Sequence, residues 1–129
     1  MYDYSADRTA GIKLPIVIRT GEQSKRVLAK VDTGASFCIF AREHGEALGL
    51  TIDAVPRTEL RLANNAPLFV RGHRLVVEVF EYSLETTVYF AEEPDFPRDV
   101  VGRSGFLDRL RVAIVDYDSV IHVSHYDDP

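Results

Sequence analysis

The residue types that could carry out chemistry together occur in one short segment: Asp32, Thr33, Gly34, Ala35 and Ser36. This segment directly follows the apolar stretch 27–31, which has the composition of a β-strand. A strand end holds a carboxylate still, and a neighbouring hydroxyl can fix the loop by hydrogen bonding. Glycine has no Cβ, so backbone or ligand can approach closely. One interpretation of the pattern is therefore a catalytic carboxylate at Asp32.

The same tripeptide is also a common turn sequence, because Asp and Thr bond nearby backbone groups and Gly accepts a positive φ angle. Asp-Thr-Gly alone does not distinguish a turn from a catalytic loop. The distinction depends on the elements that flank the tripeptide. The rest of the chain contains no second Asp-Thr-Gly or Asp-Ser-Gly. If the site needs two carboxylates, one chain cannot supply both from this motif.

Length and composition limit the classes of protein. A chain of 129 residues that is 46% hydrophobic predicts one domain with a full core. A net charge of −5 with scattered basic residues predicts no nucleic-acid partner. The single cysteine, Cys38, cannot form an internal disulfide, and the polar amino terminus has no apolar signal region. No apolar run has the length that spans a bilayer, so we expect a soluble cytoplasmic protein without a membrane partner.

Hydropathy patterns predict an all-β domain, closed or barrel-like, with one or two short helices. Alternation with a period of two occurs in several segments, and short helices are expected at 41–48, before Gly49, and at about 104–110. Pro15 places the first strand at an edge or a bulge. We expect a flexible segment at 1–11, the folded domain at 12–124 and a tail at 125–129.

Three elements follow one another along the chain: the Asp32 loop, a possible hairpin around Asn64, and Val100-Val101-Gly102-Arg103 before the predicted helix. In this order and spacing, residues 12–124 resemble the retropepsin-like aspartic proteases, the single-domain relatives of pepsin. The chain is most similar to bacterial and cellular members with one motif per chain. The resemblance implies the closed half-pepsin barrel fold and peptide-bond hydrolysis.

The resemblance also implies roles for individual residues. Asp32 would be the catalytic aspartate, and Thr33 would belong to an interlocking hydrogen-bond pair between two active-site loops. Gly34 would line the substrate channel, and Ala35 and Ser36 would complete the loop. Val101 and Gly102 would be structural neighbours of the site. The tip of the flap that closes over substrate would consist of Asn64, Asn65, Ala66 and Pro67, in place of the glycine-rich tip of viral members.

The presence of one aspartate per chain predicts a homodimer. Hydrolysis without a covalent intermediate needs one ionised carboxylate to activate water and one protonated carboxylate to hydrogen-bond the scissile carbonyl. Two neighbouring carboxylates that share a proton satisfy both needs. The expected partners are thus a second copy and a peptide or protein substrate, with no cofactor implied. The alternatives are a non-catalytic dimeric module that binds peptides or assembles a complex, and a protease released from or appended to a longer protein.

Other reactive residues have simpler interpretations. Cys38 lies in an apolar run, which favours a buried structural thiol over a nucleophile. The acidic stretch 92–95 is most simply a solvated loop. No metal site is expected, because the histidines match no recognised ligand spacing: His44, His73, His122 and His125.

Overall fold

A computed structural model describes residues 1–6, 11–62 and 64–126. Its strands and α-helix are β1 Tyr2–Asp3, β2 Lys13–Thr20, β3 Gln23–Val31, β4 Ile39–Phe40, α1 Arg42–Ala47, β5 Arg57–Arg61, β6 Pro67–Val79, β7 Tyr82–Ala91, β8 Val100–Val101, β9 Leu110–Val115 and β10 Val120–His125. Short 3-10 turns occupy Ile52–Ala54, Leu107–Arg109 and Asp116–Asp118. The predicted all-β class is confirmed. None of the helices in the described ranges has the length and apolar character needed to cross a membrane.

The seven-stranded sheet has the order β2-β3-β8-β4-β7-β6-β5. An additional antiparallel pairing of β2 with β6, from Val17 to Arg19, closes this sheet on itself. Pro15 lies on β2 before that second pairing begins, in the part that pairs with β3. Strand β6 does not pair with Pro15, so on that side of β2 the N–H that proline lacks is not needed for a hydrogen bond. A smaller sheet has the order β1-β10-β9.

The core lies inside the barrel, and the long strands alternate as their sequences predict. On β6 the side chains of Leu75, Val77 and Val79 are buried, and on β7 so are those of Leu84 and Val88. The largest fully buried side chains are Phe40, Phe90 and Phe106. Burying each such ring stabilises the fold by roughly 1.5–3 kcal/mol relative to leaving it exposed.

Helix α1 was predicted at 41–48 and is observed at Arg42–Ala47. It ends because Gly49 adopts a φ angle of +81°, which a side chain disfavours. The amide of Gly49 donates to the carbonyl oxygen of Glu46, and the amide of Leu50 donates to that of Gly45. Gly49 is therefore the helix stop that the sequence predicted.

The helix predicted at about 104–110 is wrong in type and extent. Only the 3-10 turn Leu107–Arg109 forms, and β9 begins immediately at Leu110. Gly105 has a φ angle of +89°, and its amide donates to the Asp108 carboxylate at 2.9 Å. The helix does not continue because the Leu110 backbone is extended and pairs with His125 of β10.

The amino-terminal residues lie on the small sheet, although a flexible segment was expected at 1–11. Tyr2 and Asp3 pair with β10, and the buried Tyr4 donates a hydrogen bond from its hydroxyl to Asp116 at 2.5 Å. At the other end, His125 is the last residue of β10. The remainder of both predicted terminal segments, residues 7–10 and 127–129, lies outside the described residues.

Candidate active site

Strand β3 and the parallel strand β8 position Asp32 between them. Val31, the last residue of β3, pairs with Val101. The Asp32 amide then donates to the Val101 carbonyl oxygen at 3.1 Å. The backbone of the carboxylate-bearing residue is therefore fixed by a strand that lies about seventy residues further along the chain.

The loop after Asp32 is a turn closed by Asp32 itself. The Gly34 amide donates to Asp32 Oδ1 at 2.9 Å, and the Ala35 amide donates to the Asp32 carbonyl oxygen at 3.2 Å. A Cβ on Gly34 would lie 3.3 Å from Asp32 Oδ1, closer than side chains usually approach. The glycine thus leaves space beside the carboxylate, and one carboxylate oxygen is held by a backbone donor.

The far end of this loop contacts the segment that follows β8, which begins with Gly102. The amides of Arg103 and Ser104 donate to the carbonyl oxygens of Ala35 and Ser36 at 2.9 and 2.8 Å. A Cβ on Gly102 would lie 2.6 Å from the Ala35 oxygen and would also overlap the Phe37 oxygen. Only glycine allows the two segments this approach.

A cleft of about 410 Å³ opens above Asp32. Asp32 is its only acidic lining residue in the described part of the chain. The complete lining consists of Asp32, Gly34, Ala35, Ser36, Phe37, Ile39, Leu60, Arg61, Leu62, Phe96, Arg98 and Val100. A mostly apolar cleft with one carboxylate at its base suits an extended peptide with apolar side chains.

The hairpin of β5 and β6 contributes Leu60, Arg61 and Leu62 to this cleft. Of the predicted flap-tip residues, Asn64, Asn65 and Ala66 lie in the turn of this hairpin, and Pro67 is the first residue of β6. Asn65 has a φ angle of +65°, and the Ala66 amide donates to the Asn64 side-chain oxygen at 3.0 Å. Asn64 to Pro67 do not line the cleft itself; the strand residue Leu60, Arg61 at its end and Leu62 just beyond it do.

Sequence reasoning missed the cleft residues on the hairpin arm and on the loop before β8. Leu60 and Leu62 belong to one of the alternating segments, which predicts a strand but no cleft, and nothing in the sequence pattern singles out Phe96 or Arg98. The alternation of Leu60 and Leu62 was the available signal, because it marks one face of the hairpin arm.

Thr33 lies on a different surface from Asp32. It lines an open groove of about 330 Å³ together with Arg103, Leu107, Leu110, Val112 and Ile114. Ile114 exposes 37% of its surface, which is a large fraction for an isoleucine beside other apolar side chains. The loop therefore presents its carboxylate to the cleft and its threonine to an apolar surface.

A network of ion pairs holds the base of the hairpin. Arg57 on β5 and Arg71 on β6 both bind Glu92, with Arg57 Nη2 2.5 Å from Glu92 Oε1. Arg42 of α1 binds Asp53 at 3.0 Å. Hydrogen bonding from Arg57 lowers the pKa of Glu92 from its ordinary value, and Arg42 does the same for Asp53.

The interpretation of 92–95 as a solvated loop is wrong for its first residue, Glu92. Glu93, Pro94 and Asp95 are exposed as expected, but the Glu92 side chain retains only 23% exposure. Its partners come from two other strands, which the local sequence does not indicate.

Cys38 is fully buried, as predicted. Burial raises the pKa of its thiol to about 11. His44 pairs with Asp99 at 3.0 Å, and His73 contacts the Ile52 carbonyl oxygen at 3.0 Å. Within the described ranges, His, Cys, Asp and Glu form no group of three or more arranged to hold a metal ion.

Comparison with known proteins supports the fold. No protein-family model matches the sequence, and no curated protein matches it significantly. A solved structure does match: a retropepsin-like aspartic protease from Rickettsia conorii, with 20% sequence identity and a TM-score of 0.63. The match covers 89% of this chain and 92% of the Rickettsia chain. The chain thus has the retropepsin-like fold that the sequence predicted.

Proposed function

We propose that this chain is an aspartic endopeptidase that acts as a homodimer. The observation that carries the proposal is the position of Asp32, which lies at the base of an apolar cleft under a β-hairpin. Its backbone is fixed by Val101 and one carboxylate oxygen by the Gly34 amide. The likeness to a retropepsin-like aspartic protease supports an activity of the same coarse class, a hydrolase.

The proposed dimer brings Asp32 of each copy to a shared two-fold axis. The groove beside Thr33 is the surface that a second copy would cover. It is apolar through Leu107, Val112 and Ile114, and it adjoins the loop that holds Asp32. An isologous contact there places the same residues of both copies against each other, so the two Thr33 hydroxyls come within bonding reach.

In the proposed reaction the two carboxylates share one proton. The ionised member takes a proton from a water molecule, whose oxygen attacks the scissile carbonyl carbon, while the protonated member donates its proton to the carbonyl oxygen. The resulting gem-diol collapses as the C–N bond breaks: the protonated member gives its proton to the leaving nitrogen, while one gem-diol hydroxyl gives its proton to the ionised member. The pair then holds one proton again, and the products are a carboxylic acid and an amine.

The discriminating experiment is Asp32→Asn, assayed by mass spectrometry on a mixed peptide library between about pH 4 and 7. Asn keeps the Oδ1 acceptor for the Gly34 amide, so the loop is expected to fold unchanged, but it cannot act as a base. We expect wild type to cleave and Asp32→Asn to cleave nothing. Binding without cleavage in both proteins would favour the alternative, a non-catalytic dimeric peptide-binding module.

A further inference from the structure

Besides the Asp32 carboxylate, the cleft contains two cationic side chains among apolar and small residues, and the two differ in how they are engaged. Arg61 binds Glu59 at 3.1 Å and donates to the Asn65 carbonyl oxygen at 3.2 Å. Arg98 is exposed and has neither an ion pair nor a hydrogen bond from its side chain to any described residue. An unengaged guanidinium in a substrate cleft is available to bind a carboxylate.

The acidic neighbour of Arg98 does not neutralise it. Asp99 accepts a hydrogen bond from the Ala41 amide on Oδ1 at 2.9 Å, and its Oδ2 lies 3.0 Å from His44 Nε2. Both oxygens are therefore occupied by groups at helix α1. Asp99 lines a groove that adjoins the cleft and does not line the cleft itself.

Arg98 also connects the cleft to a second cationic surface. It lines an adjoining groove of about 290 Å³ together with Lys13, Lys30 and one acidic residue, Asp99. Lys13 and Lys30 stand directly opposite each other on β2 and β3. Two like charges in direct cross-strand register destabilise a sheet. This positive concentration contrasts with the chain's net charge of −5.

From this arrangement we propose that the cleft selects peptides in which an acidic side chain lies close to the apolar residues at the cleavage point, and that Arg98 binds that carboxylate. The inference rests on the proposed function, since it names the substrate class of the same cleft. Apolar side chains of the peptide contact Leu60, Leu62 and Phe96, and an acidic side chain reaches Arg98 at the end nearest Lys13 and Lys30.

Matched peptides test the proposal directly. Acetylated and amidated peptides with an apolar centre carry Glu, Gln or Lys at each flanking position in turn, so the only variable carboxylate belongs to a side chain. We expect wild type to show a kcat/KM about tenfold higher for Glu than for Gln at one position or two neighbouring positions. Lys at the same position is expected to be the poorest substrate, and added salt should reduce the preference.

Arg98→Gln is the test variant, and Arg26→Gln is its matched control. Arg26 is an exposed arginine on β3 that lines neither the cleft nor the adjoining groove. Arg98→Gln should reduce the Glu-to-Gln ratio to about one, and Arg26→Gln should leave it at the wild-type value. A ratio that survives in Arg98→Gln overturns the proposal, and so does the absence of a Glu preference at every position.

A binding assay separates this inference from the proposed function. Fluorescence anisotropy with the Asp32→Asn protein measures the Kd of the Glu and Gln peptides without any hydrolysis. The inference is supported if the Asp32→Asn protein binds the Glu peptide more tightly than the Gln peptide and the Asp32→Asn, Arg98→Gln double variant does not. This holds even if no protein cleaves. Cleavage by wild type without a Glu preference contradicts the inference alone, and failure to bind any of the peptides also contradicts it.

Discussion

The Asp32 amide donates a hydrogen bond to the Val101 carbonyl oxygen at 3.1 Å. This bond joins the end of β3 to the end of β8, and the next residue, Gly102, packs against the carbonyl groups of the Asp32 loop. The carboxylate is therefore positioned by backbone contacts on both sides of the loop, and the glycine is needed for those contacts to form.

Gly102→Ala is expected to disrupt the site. The added methyl group would overlap the Phe37 and Ala35 carbonyl oxygens, so the loop has to shift, at a cost of about 1–3 kcal/mol in the free energy of unfolding. Urea denaturation and the peptide-library assay check this. Gly21→Ala is the control, because its Cβ meets nothing within 4 Å although its φ angle is +57°. The control should lose some stability but retain cleavage; equal activity of the two variants would contradict the assigned role of Gly102.

Ile114→Asp is expected to separate the proposed dimer. A charge placed in the groove beside Thr33 has to be desolvated when a second copy covers it, so the dimer Kd should rise by more than about tenfold. Analytical ultracentrifugation over a dilution series, with activity measured in parallel, checks both consequences. Val115→Asp is the matched control, because Val115 is equally exposed but lies on the opposite face of β9. A wild-type protein that is monomeric and fully active would refute the dimer.

Much of this site follows from local sequence, and the remainder depends on contacts between distant segments. Asp32 and Gly34 were predicted because their roles depend on residue type and on the preceding strand. Phe96 and Arg98 were missed because they reach the cleft only through the pairing of β8 with β3, which no local pattern specifies. The helix expected at 104–110 failed because β9 begins at Leu110, which pairs with His125 of β10, and no local pattern indicates that pairing.

Cys38 should resist thiol reagents in the folded protein. Burial raises the pKa of its thiol from an ordinary value of 9.0 to about 11, so little reactive thiolate exists at pH 8. We expect Ellman's reagent to modify it only after unfolding. The unfolded thiol ionises more readily than the folded one, so the free energy of unfolding should fall as pH rises from 9 to about 11. In Cys38→Ala this alkaline decline should be smaller, and rapid labelling of the native wild type would contradict burial.

The ion pairs at the hairpin base should make stability depend on pH in the acid range. The pKa of Glu92 is lowered in the folded protein, chiefly by the Arg57 hydrogen bond, so folding is favoured while Glu92 is ionised. This contribution is present above the pKa of the unfolded glutamate and is lost as pH falls through the lower folded pKa. Glu92→Gln should consequently show a smaller drop in Tm than wild type between pH 6 and 3. Glu93→Gln is the neighbouring control, because Glu93 is exposed and has no ion pair with a described residue. Identical pH profiles for Glu92→Gln and wild type would show that the hairpin base is held by other contacts.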